Sequence, residues 1–293
     1  MMPKKVIRRI PQQSWHQLRQ DWRLSFVDYD EIGKPPSTSI QDLLEINESS
    51  FQHAGISGVG FSMLNSKEIM LREAIYLTHK ASALLRSYSR DIENDDQTYA
   101  EVSAYTSSFF LARSITMLLG CYMSSSTVSS RYWLLDGRSN KGATSVILLP
   151  LNFKPGHIHT WDLFKNLVVK TTNTPFDPEF NAFVGGMPAR DFAKTRNHLQ
   201  YNNCAWMYDD LHIEDCDSRE WIAPFSKTVY SNADPDDQNG HFGVVLSLML
   251  FRAVNLLISD ISENISSLTL ERDILQHNAR YCDRSVMVSS WLS

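Results

Sequence analysis

Cysteine is scarce in this chain. Its 293 residues include four, Cys121, Cys204, Cys216 and Cys282, set far apart with no Cys-x-x-Cys pair among them. That argues against a disulfide-stapled scaffold and a thiolate zinc site, and it fits reduced thiols in a cytoplasmic protein. A strong charge of one sign is also missing, because 28 Lys and Arg against 33 Asp and Glu leave a formal net charge of −5. A field that weak does not steer a polyanion, so a nucleic-acid partner needs a local basic patch. No apolar run is expected to reach the roughly 20 residues of a spanning helix, and no membrane contact is expected. The basic start (Lys4, Lys5, Arg8 and Arg9) has no apolar stretch behind it, unlike a secretory signal. Gly55, Gly58 and Gly60 lack the Lys-Ser/Thr that follows in a phosphate-binding loop. There is no Gly-x-Ser-x-Gly, no internal repeat and no low-complexity tract.

What the chain does have is core material. Hydrophobic residues make up 43% and aromatics 11%, enough for a packed core and against intrinsic disorder. Residues 1–65 read as an N-terminal extension of short elements, with a helix or strand over 14–26, a break at Lys34-Pro35-Pro36-Ser37 and a further helix over 41–51. Residues 66–293 read as one helical domain. Ser66 can cap a helix whose apolar positions, Ile69, Ala74, Ile75, Leu77, Ala81, Leu84, Leu85 and Tyr88, follow helical spacing. A polar break at 93–97 precedes a second helix over 98–123, and the two are expected to form an antiparallel hairpin. Short apolar runs at 131–135 and 143–151 flank a turn-rich heptapeptide, which predicts an inserted β-hairpin. Helices are then expected over 160–170, with Trp161, Phe164, Leu167 and Val168 inward, over 189–201, and over 240–278. Residues 171–188 read as a loop, as do the acidic stretches 209–220 and 234–237. The fold class is mainly α: an antiparallel helical bundle carrying a β-hairpin of about 131–151.

The richest chemistry lies in Lys194-Thr195-Arg196-Asn197-His198-Leu199-Gln200-Tyr201, which gathers a guanidinium, an amide, an imidazole and a phenol. Such groups hold a phosphate or a nucleobase, and they also lock a helix into its surroundings. Arg196 suits a phosphate because it donates bidentately and stays charged; its structural alternative is bonding helix carbonyls. Asn197 either orients a phosphate or bonds backbone. His198 lies about 200° from Arg196 around a helix and Tyr201 about 140°, so the first faces solvent and the second reaches a common cleft only at a frayed end. Tyr201 can stack on a base or pack in the core. His159 is a further imidazole donor, with helix capping as the alternative. His157 and His159 could ligate a metal from a strand, but no carboxylate or cysteine completes a set, and neither a metal nor a cofactor is expected.

Glu101-Val102-Ser103-Ala104-Tyr105-Thr106-Ser107-Ser108-Phe109-Phe110-Leu111-Ala112-Arg113, late in the hairpin, resembles the Ser-Ala-Tyr-Tyr-Ala-x-Phe-x-Ala-Ala-Arg stretch of HEPN-type proteins. Arg196-Asn197, opening a later helix, is similar to their Arg-Asn-x-x-x-His/Tyr segment, and His159-x-Trp161 fits larger relatives. The likeness spans 66–201. It implies an all-α bundle that often homodimerises and, in nuclease members, a shared cleft where an Arg and a His with four to six residues between them cleave RNA without metal. Here positions 201–203 are Tyr201, Asn202 and Asn203, so the histidine of that motif is absent. The resemblance implies an RNA-binding protein or ribonuclease of a bacterial toxin or antiphage-defence system. In it Arg196 would bind phosphate, Asn197 would orient it, and His159 or His198 would supply the imidazole. The alternative is a catalytically inactive dimerisation or adaptor subunit with a protein partner from the same system.

Overall fold

Ser66 begins a 28-residue helix, and its hydroxyl accepts the Val146 N–H at 3.1 Å, which fixes the helix start against a sheet. The computed structural model describes residues 2–25, 39–46, 61–63, 66–94, 96–126, 131–138, 146–192 and 242–262. In chain order these form α1 (Lys4–Arg9), β1 (Gln13–Ser14), α2 (Trp15–Ser25), α3 (Ile40–Ile46), β2 (Phe61–Met63), α4 (Ser66–Glu93) and α5 (Gln97–Leu118). Next come β3 (Cys121–Ser125), β4 (Tyr132–Asp136), β5 (Val146–Leu151), α6 (His157–Lys170), β6 (Thr171–Thr172), α7 (Pro178–Gly186), α8 (Ala189–Phe192) and α9 (Phe242–Ser262). Helix accounts for 71% of the described residues, so the architecture is mainly α as expected.

The expected helical hairpin is α4 and α5. Asp96 caps α5 by accepting the Tyr99 N–H at 3.4 Å. The inner faces carry hydroxyls as well as aliphatics, and those of Thr78, Ser107, Ser108 and Ser114 each find a carbonyl or another hydroxyl, which removes the penalty of burying them. Ser114 Oγ donates to the Ala74 carbonyl at 2.8 Å and lies 3.0 Å from Thr78 Oγ1, while Ser107 Oγ donates to the Ala81 carbonyl at 3.0 Å. Helix α9 closes the bundle against α5. Ser247 Oγ donates to Ser107 Oγ at 2.7 Å, and Ser108 Oγ shares its proton between the Ala104 and Gly243 carbonyls, each at 3.1 Å.

Several expectations need correction. Helix α5 stops at Leu118 and does not run to 123, because Gly120 takes φ +87° and turns the chain into β3. The apolar run continues through the turn, so periodicity alone hides it. The β-hairpin expected over 131–151 is present as β4 and β5, registered Tyr132↔Leu151 and Leu134↔Leu149. It is the middle of a larger antiparallel sheet ordered β2-β5-β4-β3, not an isolated insert. The loop expected over 171–188 contains β6 and α7, with Pro178 in the first helical turn, where its missing N–H does no harm. An apolar stretch long enough to cross a membrane does exist, contrary to expectation: Gly243–Ser262 in α9. Within the protein 78% of it is buried, and a helix enclosed by neighbours is apolar all round for that reason. Of the helices expected over 189–201 and 240–278, the described parts are α8 and α9. The remainder of both, the acidic stretches and Gly55, Gly58 and Gly60 lie outside the described residues.

The described parts of 1–65 share this core. Trp15, Leu18 and Trp22, on one face of α2, are buried, and Trp22 Nε1 donates to the Leu118 carbonyl at 2.9 Å. Asp260 of α9 accepts from both Trp15 Nε1 and the Arg19 guanidinium. Strand β1 pairs in parallel with β6, Gln13↔Thr171, and Lys170 Nζ donates to the Ile7 and Ile10 carbonyls at 2.6 and 2.7 Å. Behind β4, Arg138 donates to Thr171 Oγ1 at 3.1 Å and to the Lys170 carbonyl at 3.0 Å, while its own N–H is held by Asp136 at 2.8 Å. Buried Lys67 lies 3.6 Å from Asp21. Burial lowers its pKa, and Asp21 opposes the shift.

The turn after α5 yields a direct prediction. A Cβ on Gly120 would stand 2.9 Å from Arg138 Cγ and 3.2 Å from Leu18 Cδ2, at a φ that L-residues rarely adopt. Gly120→Ala is therefore expected to reduce the free energy of unfolding by about 2 kcal/mol. Urea denaturation followed by tryptophan fluorescence checks it, and an unchanged midpoint would count against this turn.

Candidate functional site

Pro155-Gly156 ends the sheet segment and starts α6. Gly156, at φ −123° and ψ −177°, occupies the cap position but has no side chain to offer the first turn. The His159 side chain supplies the link instead: its Nδ1 accepts the Gly156 N–H at 3.0 Å, and its ring lies 4.7 Å from that of Phe153. Of the two roles open to His159, capping is the one its contacts describe. Partial burial lowers its pKa, with Asp162 pulling the other way. Nδ1 is engaged, while Nε2 lies across the ring from that bond.

Two residues earlier His157 meets α5. Its Nδ1 lies 3.0 Å from the Tyr105 hydroxyl, and its ring stacks on Phe109 at 4.1 Å with 9° between planes. Trp161 Nε1, one turn along α6, donates to the same Tyr105 oxygen at 3.4 Å. Trp161 in turn stacks on Phe192 of α8 at 4.9 Å, with Phe164 edge-on to both. Trp161, Phe164, Leu167 and Val168 are all buried, as their spacing predicts. The result is an aromatic column running from α8 through α6 to α5, with the half-buried His157 imidazole at one end.

The remaining groups divide plainly. Arg196, Asn197, His198 and Tyr201 lie outside the described residues, and so does the rest of their octet; Phe192 stands four positions before Arg196 in sequence. His157 and His159 sit on a helix, not a strand, so their side chains point about 200° apart. Both Nδ1 atoms are engaged, and among the described residues no group of three His, Cys, Asp or Glu could hold a metal ion. Arg113, which ends the HEPN-like stretch, bonds the Tyr122 hydroxyl, and its guanidinium carbon lies 5.2 Å from that ring's centre. Nearby Glu73 accepts the Ile40 N–H at 2.9 Å, and burial raises its pKa despite that bond and the charge of Arg113. Sequence analysis missed the pairing of Tyr105 with His157. The two are 52 positions apart, and the only signal was that each already belonged to a singled-out segment.

The cap gives a pH prediction. His159 has a folded-state pKa below its ordinary 6.5, so folding disfavours its proton. Its contribution to stability is complete at alkaline pH and is lost as pH falls from 6.5 through the folded value, because the unfolded chain then binds more protons. Glutamine accepts the same backbone N–H without titrating. The drop in Tm between about pH 7.5 and 5.5 is therefore expected to be smaller in His159→Gln than in the parent. Equal drops in paired thermal scans would refute the assignment.

No protein-family model matches the chain, and neither does any curated protein or solved structure.

Proposed function

We propose that the protein is a HEPN-like RNA-binding protein acting as a metal-independent ribonuclease of a bacterial toxin or antiphage-defence system. In this reading the Arg196 segment and the imidazole–aromatic cluster of α6 serve one site. The observation that carries it is the half-buried His157 ring, bonded to Tyr105 and stacked on Phe109. Single-stranded RNA is bound chiefly by stacking its bases on aromatic and imidazole planes, with cations on its phosphates. Tyr105 and Phe109 both come from the stretch that carries the HEPN resemblance, and the helical hairpin bearing it supports the same reading. A net charge of −5 supplies no general attraction for RNA, so affinity must come from local groups. Arg196 provides the fixed cation for a phosphate, Asn197 orients it, a histidine (His157, His159 or His198) provides the imidazole, and Tyr201 stacks on a base. A homodimer would bring two such sets together.

A second reading, a catalytically inactive HEPN-like dimerisation or adaptor subunit, is favoured by a different observation. Arg113 is engaged by Tyr122, and His159 caps its own helix, so two polar groups of the segments that carry the resemblance serve the fold.

Purified full-length protein incubated with tRNA or total RNA in EDTA, beside Arg196→Ala, separates the two. Cleavage that survives the chelator is expected, with a loss of about 100-fold or more in the variant, the scale of removing one transition-state donor. Intact RNA at micromolar protein, together with a stable dimer by light scattering, would replace the nuclease with the adaptor.

A further inference from the structure

Helix α1 is built as a carrier of exposed charge. Its six residues, Lys4-Lys5-Val6-Ile7-Arg8-Arg9, hold four cations and no acid. Met2 and Ile10 are buried and Val6 and Ile7 pack against the core, so one stripe of the helix faces inward. Lys4, Arg8 and Arg9 fall on the opposite side by helical phasing, and all three are exposed. Among the described residues none of the three has an ion-pair partner. Helix α1 is also fastened to α6 at both ends. The Met2 N–H donates to buried Asp162, and Lys170 Nζ caps the last turn through the Ile7 and Ile10 carbonyls at 2.6 and 2.7 Å. Asp162 and Lys170 lie about 12 Å apart along α6, so α1 runs beside that helix in the same sense. Asp162 is one turn beyond His159, whose ring meets that of Phe153 at 4.7 Å, and exposed Lys154 follows Phe153 directly. The basic face thus begins at the imidazole end of α6 and continues along its length.

We propose that the exposed face of α1, with Lys4, Arg8 and Arg9, holds the phosphate backbone of single-stranded RNA and leads the strand to the imidazole end of α6. This deepens the RNA reading above and rests on it. A chain with a formal net charge of −5 attracts RNA only through a local concentration of cations, and α1 is such a concentration. Arginine grips phosphate oxygens bidentately, and neither it nor lysine needs a particular base beside the phosphate, so the contact is independent of sequence. Release of counterions from the strand supplies the driving force. An anionic membrane fits this helix less well. A helix that lies on a bilayer keeps its apolar face for the acyl chains, whereas the apolar stripe of α1 is already turned into the protein core.

The test is binding of a fluorescent single-stranded RNA to the full-length protein over a range of salt, with the strand 2′-O-methylated so that its 2′-oxygens cannot attack the backbone. Each phosphate contact to a single strand contributes about 0.7 to the slope of log affinity against log salt. Neutralising the three groups together (Lys4→Gln, Arg8→Gln, Arg9→Gln) should therefore make the slope shallower by about 2 and weaken binding about 100-fold at about 0.1 M salt. Lys80→Gln, Arg86→Gln and Arg90→Gln together remove the same charge from exposed positions of α4 and should change affinity by less than about threefold. The charge-conserving set Lys4→Arg, Arg8→Lys and Arg9→Lys should also stay within about threefold of the parent, which separates lost charge from a disturbed helix. Parent-like affinity in the neutralised α1 variant, equal losses in the α1 and α4 variants, or a loss in the charge-conserving set refutes this surface and leaves the RNA reading standing. A parent protein that binds no RNA overturns that reading and this surface with it, and so does capture by phosphatidylserine vesicles without RNA binding.

Discussion

Everything in the helical part is organised by how closely α9 can approach α5. At Gly243, in the first turn of α9, an added Cβ would stand 2.8 Å from Glu101 Oε2 and 3.4 Å from the Ala104 Cβ. The missing side chain therefore lets a buried carboxylate lie against the positive end of a long helix, where negative charge is favoured. Below that point the seam runs on hydroxyls, Ser108 to the Gly243 carbonyl and Ser247 to Ser107. Small groups permit short separations, and each hydroxyl is satisfied at that separation. Such a seam favours one register of α9 on α5, because sliding by a turn would break both contacts and take the buried Ser247 hydroxyl away from Ser107.

With α5 held in this way on one side and by α4 on the other, its remaining face carries Tyr105 and Phe109 to α6. The imidazole cluster is thus set by rigid elements. Loop geometry contributes only Gly156, whose extended backbone lets α6 begin where His157 can reach Tyr105. The sheet contributes at a distance: Arg138, held by Asp136 at the end of β4, grips the C-terminal end of α6 through the Lys170 carbonyl. Both ends of α6 are therefore anchored to different parts of the fold, which is what orientation of a functional side chain demands.

Much of this was readable before the structure. The hairpin followed from apolar residues at helical spacing on either side of a polar break, and the inward set of α6 from the same periodicity. The β4–β5 pairing followed from two apolar runs around turn formers. What failed did so for identifiable reasons. Gly120 ends α5 through a backbone torsion that leaves no mark on the hydrophobic pattern, so that pattern carries the expected helix on to 123, into the first residues of β3. Strand β2 has three residues, too few for any alternation to register. Pro178 was taken as a loop residue although a proline in the first turn suits a helix start equally well. Helix α9 falls within the helix expected over 240–278, but its enclosure, which makes it apolar on nearly every side, is a tertiary property. In the candidate site, a capping role for His159 was among the sequence alternatives, whereas the partner of His157 is a tertiary fact that no local rule supplies.

The parallel pairing of Gln13 with Thr171 has a consequence for how the molecule comes into being. The two-helix hairpin needs only neighbouring stretches of chain and can assemble as soon as it leaves the ribosome, but the first tryptophan helix cannot be seated by β1 until residue 171 has emerged. Its contact with Asp260 must wait longer still. During synthesis Trp15 therefore waits for Asp260 long after Trp22 can meet the Leu118 carbonyl, and the two ends of one short helix reach their native contacts at different times.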